Sequence, residues 1–248
     1  VGSEQLAPGE AEIAFLIPRR AVHDKLGEYA SELKEMEFIL NTFSEVATGS
    51  TDDLRIRTVS STDLSVFLTA APKFGAVVAL AIAYIISNYK KILEIRKLSR
   101  EIDRLGLPKG VSEGAAEYAN SVMSQAIDSF TAELIAQYPG NVPGREHELK
   151  TKLRLSLNRM ANRIDSGFHF EVRIEPPSAK GTESEEVKKA VQTIQEATPK
   201  MQYMNLEGQK ILSLPEEKTL SGETADGTAA TPSVKPLRRR IHPDDTKK

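Results

Sequence analysis

Three short segments of the chain have the two-residue period of a β-strand; the first is almost wholly apolar, which predicts a largely buried strand, and the other two alternate apolar and polar residues. They are residues 12–17, 54–59 and 168–175. In the third segment, apolar side chains from Phe168 to Ile174 alternate with polar ones from His169 to Glu175. A strand with one apolar face predicts a sheet that has helices on one side and solvent, or a partner, on the other.

Longer segments place apolar residues three or four positions apart, which is the spacing of one helix face. We predict helices at residues 19–47, 64–71, 72–105, 112–138 and 145–165. The short one at 64–71 is placed there because Ser60-Ser61-Thr62-Asp63 is a cluster of residues that favour helix N-termini. A strand, a long helix and a second strand indicate a crossover connection, so we expect the first two strands to be parallel.

Together these elements predict an α+β protein, with a small three-stranded mixed sheet packed on one face by a group of long helices. We expect residues 1–10 to be a flexible N-terminus and residues 11–177 to form this body. Residues 178–214 are predicted to add a helix, at 182–197, and a short hairpin, at 201–214, which is too small to stand alone and should dock on the body or on a partner. Pro, Gly, Thr, Ser and charged residues dominate from 215 to 248 and predict a disordered, flexible C-terminal tail.

The helix predicted at 72–105 has two unlike halves. Residues 74–86 are apolar on every side, whereas the part beyond Ser87 has one apolar seam and one charged face. Such an all-apolar helix is buried in a core or in a membrane. The apolar run has 13 residues, and a membrane span needs about 20, so we favour a core position.

Few elements are available to cover this apolar half, which raises the hypothesis that a second copy or another protein completes the coverage. The candidate contact residues are Phe74, Val78, Ile82, Ile85, Tyr89 and Ile92. A membrane-active effector that inserts residues 74–86 is the alternative.

Composition and charge narrow the range of functions. Lys and Arg total 33 and Asp and Glu 35, a net charge of -2, so no global field gathers nucleic acid or anionic lipid. The chain has no cysteine, which excludes disulfides, thiolate zinc sites and a Cys nucleophile. Residues 1–10 lack the pattern of a secretory signal, so we predict a cytoplasmic location.

No catalytic or metal-binding constellation is visible in the sequence. The four histidines, His23, His147, His169 and His242, lack metal-ligand spacing. His169 shares a strand face with Glu171, as an acid–base pair would, but a solvated strand face has the same pattern, and we favour that interpretation. We therefore predict no catalytic residue, no metal and no cofactor, and we favour a non-enzymatic protein.

Four arginines near the predicted sheet suggest an alternative, an anion-binding or nucleotide-binding regulator or enzyme at the polar sheet edge. Arg19 and Arg20 follow the first strand, where ligand sites of α/β proteins often lie. Arg55 and Arg57 lie on the polar face of the second strand. The plainer interpretation is a set of solvated arginines, because no Gly-rich phosphate loop accompanies them.

A basic stripe on the helix at 145–165 is a weak candidate for nucleic-acid binding. Arg145, Lys152 and Arg159 are seven residues apart and share a face, and Arg238-Arg239-Arg240 adds a cluster in the tail. No aromatic residue is interleaved with the stripe, so a solvated helix face is the simpler interpretation.

The favoured function is a non-enzymatic protein-interaction or assembly module that uses the long helix 72–105. It rests on the overlong helix, on the hairpin that needs a surface and on the absence of a catalytic motif. Its partner would be another protein or a second copy of the chain, as a homo-oligomer.

Overall fold

A computed structural model describes residues 6–51, 54–60, 63–106, 109–138, 144–176, 184–201 and 210–217. Among these residues, four strands form one antiparallel sheet. In chain order they are β1 Ala11–Leu16, β2 Arg55–Ser60, β3 Ser65–Ala70 and β4 His169–Ile174. Their order across the sheet is β2-β3-β1-β4. The predicted α+β class is confirmed, and the three predicted strands agree with β1, β2 and β4 within one residue.

The strand β3 occupies residues for which the sequence predicted a short helix at 64–71. Val66, Leu68 and Ala70 are buried and alternate with half-buried residues, which is the period of a strand. Of the preceding cluster at 60–63, Ser60 ends β2 and pairs with Ser65 of β3, and residues 61–62 lie outside the described part. The helix prediction was wrong because residues that cap helices are also the common residues of turns.

The strands β1 and β2 point in the same direction, as predicted, but β3 lies between them and pairs antiparallel with both. The predicted mixed sheet is therefore wrong in its pairing. Two crossover connections interleave, β1 to β2 and β3 to β4, in the split βαβ arrangement. The second crossover contains three long helices.

The helices follow the predicted ones closely, with one break. They are α1 Arg19–Val22, α2 Leu26–Thr48, α3 Pro72–Arg104, α4 Lys109–Gln137, α5 Glu146–Asp165 and α6 Glu185–Ala197, followed by a 3-10 turn at Thr198–Lys200. His23 and Asp24 adopt left-handed φ angles of 48° and 54°, and they divide the predicted helix 19–47 into α1 and α2. Ser184 caps α6 by accepting a hydrogen bond from Val187 N at 3.4 Å, while residues 182–183 of the predicted helix lie outside the described residues.

The long helix α3 lies between the sheet and the other helices. It packs against β1 and β4 on one side and against α2, α4 and α6 on the others. From Phe74 to Ile86, every residue is buried except Leu80 and Tyr84, which are half-buried. The apolar half of α3 is thus covered by its own chain, and it does not require a second subunit.

The close packing of α3 on the sheet depends on Gly75. A Cβ atom at this position would lie 3.0 Å from Cβ of Ala11 and 3.4 Å from Cδ1 of Ile194. Residues 72–102 are long and apolar enough to cross a membrane by length and composition, yet 61% of the 18-residue stretch that meets this criterion is buried. The core helix of a globular protein meets the same test.

Candidate functional site

An extended segment, residues 210–217, lies along α5, and we call it the strap. Ile211, Leu212 and Leu214 are buried, whereas Ser213 and Pro215 are exposed. The strap contains the end of the hairpin predicted at 201–214, of which residues 202–209 lie outside the described part. The described residues of this segment have no strand structure, and three of them pack into the body.

The strap extends beyond residue 215, where the disordered tail was predicted to begin. Disorder was predicted from residue 215, but Pro215 and Glu216 are held against α5 by hydrogen bonds to their carbonyl oxygens. The predicted start of the tail lies too early in the chain because Pro and Glu are typical of disordered segments, and the local sequence does not show which side chains bind them. Residues 218–248, the remainder of the predicted tail, lie outside the described residues.

Polar side chains on one face of α5 bind the strap backbone. Asn158, Asn162 and Asp165 are four and three residues apart, so they form one stripe along the helix. Oδ2 of Asp165 accepts hydrogen bonds from the backbone N–H groups of Ile211, at 2.6 Å, and Leu212, at 2.7 Å. One carboxylate oxygen therefore holds the first residues of the strap.

The next residue of the stripe, Asn162, binds both backbone groups of Leu214. Its Oδ1 accepts from Leu214 N at 3.0 Å, and its Nδ2 donates to Leu214 O at 2.9 Å. Asn158 then donates from Nδ2 to Pro215 O at 3.0 Å. The strap therefore runs in the direction opposite to α5, because its later residues contact earlier residues of the helix.

Three further side chains contact the strap. Asn120 of α4 accepts a hydrogen bond from Ser213 N at 2.7 Å. Arg159 donates from Nη2 to Glu216 O at 2.7 Å, and Arg163 lies 3.4 Å from the Glu216 carboxylate. The side chains that bind the strap are Asn120, Asn158, Arg159, Asn162, Arg163 and Asp165, and we call this surface the strap groove.

A buried ionic cluster holds Asp165 in place. Asp165, Arg96 and Tyr89 are 1%, 3% and 0% exposed. Oδ1 of Asp165 accepts from the Tyr89 hydroxyl and from Nη1 of Arg96. Burial, and then the charge of Asp165, raise the pKa of Tyr89, so its hydroxyl stays a donor. The carboxylate is thus paired on one oxygen and presents the other to the strap.

The six residues predicted to contact a partner are all inside the core. Phe74, Val78, Ile82, Ile85, Tyr89 and Ile92 are each 2% exposed or less. Their packing is intramolecular, so they do not form a surface in this conformation. Of the six, Tyr89 contacts the strap groove through its hydrogen bond to Asp165.

The four arginines predicted as an anion site do not come together. They are Arg19, Arg20, Arg55 and Arg57. The first two begin α1, after the last residue of β1, whereas the other two lie on β2 beside the first residues of β1. Arg57 forms ion pairs with Glu10 and Glu12 at 3.3 and 3.7 Å. The predicted anion site therefore divides into two separate pairs.

The basic stripe of α5 faces the acidic side of α2. Glu45 pairs with Arg145 at 3.1 Å and with Lys152 at 2.7 Å, and Glu35 pairs with Arg159 at 2.8 Å. The stripe was interpreted as solvated or as a nucleic-acid contact. The three residues are each ion-paired with α2, and 49% of the Arg145 side chain stays exposed.

The histidine singled out by the sequence lies on the polar face of β4. Burial lowers the pKa of His169, and the charge of Glu171 opposes this shift in part. The Glu171 carboxylate accepts a hydrogen bond from Arg173 at 2.9 Å. Within the described part of the chain, no group of three or more His, Asp or Glu side chains could hold a metal ion.

Comparison of the chain with protein-family models, with curated protein sequences and with solved structures finds no match. The interpretation of the strap groove therefore depends on its geometry. Sequence patterns did not single it out, since Asn158, Asn162 and Asp165 are recognisable as a stripe only when the strap lies on them.

Proposed function

We propose that the protein is a non-enzymatic interaction module that binds an extended peptide segment in the strap groove. The observation that supports this most is the array of side-chain hydrogen bonds to the strap backbone, from Asp165 through Asn162 to Asn158. The long helix contributes through Tyr89 and Arg96. In this conformation the strap of the same chain occupies the groove.

The contacts define the class of peptide that fits. Backbone N–H and C=O groups are common to all peptides, so the array favours an extended backbone rather than one sequence. Selectivity comes from the buried positions of Ile211, Leu212 and Leu214, which require apolar side chains. It also comes from Asn162 and Arg163, which contact the Glu216 carboxylate at 2.8 and 3.4 Å and favour an acidic residue there. The expected pattern is two adjacent apolar residues, one spacer, a third apolar residue, a second spacer and an acid.

The energetics favour an exchangeable segment. Each hydrogen bond of this kind contributes about 0.5–1.5 kcal/mol net, and ordering the peptide opposes this gain. A covalently linked segment has an effective concentration of about millimolar for a short linker. The strap can therefore occupy the groove in its own chain even if the same peptide binds only weakly from solution.

A peptide-binding experiment tests this function. The full chain carrying Leu212→Ser and Leu214→Ser should have a weakened strap, and we expect it to bind a labelled octapeptide KILSLPEE, the sequence of the strap, in fluorescence anisotropy. The wild-type chain should bind at least about tenfold more weakly because its groove is occupied.

The matched control is a groove variant. Adding Asn162→Ala removes both contacts to the Leu214 position, and we expect about tenfold weaker peptide binding. Gln192→Ala, on α6 outside the groove, should change nothing. If the folded strap-weakened variant binds no peptide, or if Asn162→Ala has no effect on binding, the proposal is wrong.

A further inference from the structure

One buried atom in the strap groove is left without a hydrogen bond. Asn158 is 4% exposed, and its Nδ2 donates to Pro215 O. Its Oδ1 is buried and has no hydrogen-bond partner among the residues that the structure describes. A buried acceptor without a partner is destabilising, and such groups are rare in folded proteins.

The chemistry of the strap explains this atom. Asn162, one turn away, uses Nδ2 and Oδ1 together to bind the C=O and the N–H of a single strap residue, Leu214. Asn158 contacts the C=O of Pro215 in the same way with its Nδ2. Proline has no backbone N–H, so Pro215 cannot supply the donor that Asn158 Oδ1 lacks.

We propose that the strap groove binds most tightly an extended peptide that carries a backbone N–H at the position of Pro215, so that the strap is an incomplete and displaceable occupant. This rests on the proposed function and adds one rule to the peptide pattern, namely that the residue before the acid is not proline. The partner is then an extended segment of another chain with an ordinary residue at that position.

The hydrogen bond that Pro215 cannot make gives the strap a regulatory role. While no partner is present, the strap fills the groove, including the sites of Ile211, Leu212 and Leu214, because its effective concentration is high. A partner with the additional hydrogen bond displaces it at a lower concentration than a copy of the strap would. Proline at position 215 thus keeps the groove available to such a partner.

Three octapeptides isolate the contribution of the N–H group. They are KILSLPEE, KILSLAEE and the N-methylalanine version of the second, which lacks the N–H without having the proline ring. On the full chain with Leu212→Ser and Leu214→Ser, the alanine peptide should bind about tenfold more tightly than the N-methylalanine peptide. Its advantage over the proline peptide should be smaller, since proline loses less conformational entropy.

The variant Asn158→Ala in the same chain is the control. It should remove the difference between the alanine and N-methylalanine peptides while leaving contacts to Asp165 and Asn162 in place. Equal binding of these two peptides to the chain that retains Asn158 would overturn the inference, and it would leave the proposed function intact.

A second measurement uses the chain with its own strap and does not depend on added peptide. Pro215→Ala should slow amide hydrogen exchange at Leu212 and Leu214 by several-fold, because the strap gains a hydrogen bond. In the Asn158→Ala background the same substitution should not slow it. Slower exchange together with no binding of any peptide would support the rule for position 215 and reject the function. Unchanged or faster exchange on Pro215→Ala would reject the rule.

Discussion

At the scale of single residues, the carboxylate of Asp165 has two roles, one for each of its oxygens. Oδ1 is paired with Arg96 and Tyr89, and Oδ2 holds the N–H groups of Ile211 and Leu212. A buried ion pair that loses one partner leaves an uncompensated charge, and this is costlier than the net contribution of the intact pair. The residue therefore connects the stability of the core to the position of the strap.

The variant Asp165→Ala tests this connection. It should lower the free energy of unfolding by about 3–5 kcal/mol, because the guanidinium of Arg96 stays buried without the negative charge of Asp165. Urea denaturation measures the change. Glu171→Ala, which removes the exposed pair with Arg173, should cost less than about 1 kcal/mol. A loss below about 1 kcal/mol for Asp165→Ala would contradict the role given to the cluster.

At the scale of elements, opposite charges align α2 with α5. Glu45 and Glu35 of α2 meet Lys152 and Arg159 of α5 at 2.7 and 2.8 Å. The Glu45 side chain is 11% exposed and that of Lys152 is 23% exposed, so solvent screens this pair less than it would screen a surface pair. The pairs fix the face that α5 turns to α2, and thereby the face that it presents to the strap.

A charge reversal tests the alignment of α2 and α5. Glu45→Lys places a like charge beside Arg145 and Lys152, and we expect it to lower the free energy of unfolding by about 1–3 kcal/mol. Adding Lys152→Glu should restore part of this loss, because an opposite pair forms again. Thermal unfolding of both variants and of the wild type measures the effect. If the double variant is no more stable than Glu45→Lys alone, the pair does not align the helices.

At the scale of the whole molecule, the apolar half of α3 is enclosed by the sheet and by other helices of the same chain. The membrane-active alternative required residues 74–86 to be available to a bilayer. Exposing them would mean unpacking the core that contains Phe74, Val78 and Ile82, each no more than 2% exposed. Such unpacking costs a large part of the stability of a domain.

Liposome flotation tests whether the apolar half of α3 stays enclosed. At neutral pH, the folded protein should stay in the aqueous fraction with both neutral and anionic vesicles, because the apolar surface of α3 is already buried. A membrane-binding amphipathic peptide serves as the positive control in the same gradient. Substantial flotation of folded protein would show that the conformation described here can open.

Local patterns predicted most of the elements, because periodicity depends on which side of an element is buried and not on what covers it. The α+β class, four of the helices and three strands could be predicted in this way. The strand β3 could not, since a turn and a helix start share the same residue types. The pairing of β3 between β1 and β2 depends on contacts between distant segments, and local propensity carries no information about such contacts.

The sequence by itself determined most of the elements, the absence of cysteine chemistry and the unusual apolar half of α3. Only the tertiary structure decided what covers that half, where the basic stripe of α5 points and how Asp165 and Asn162 acquire their partners. The physical reason is distance along the chain: Asp165 meets Arg96 69 residues away and Leu212 47 residues away. A side chain's partner at such separations is set by packing, so the strap groove exists only in the folded molecule.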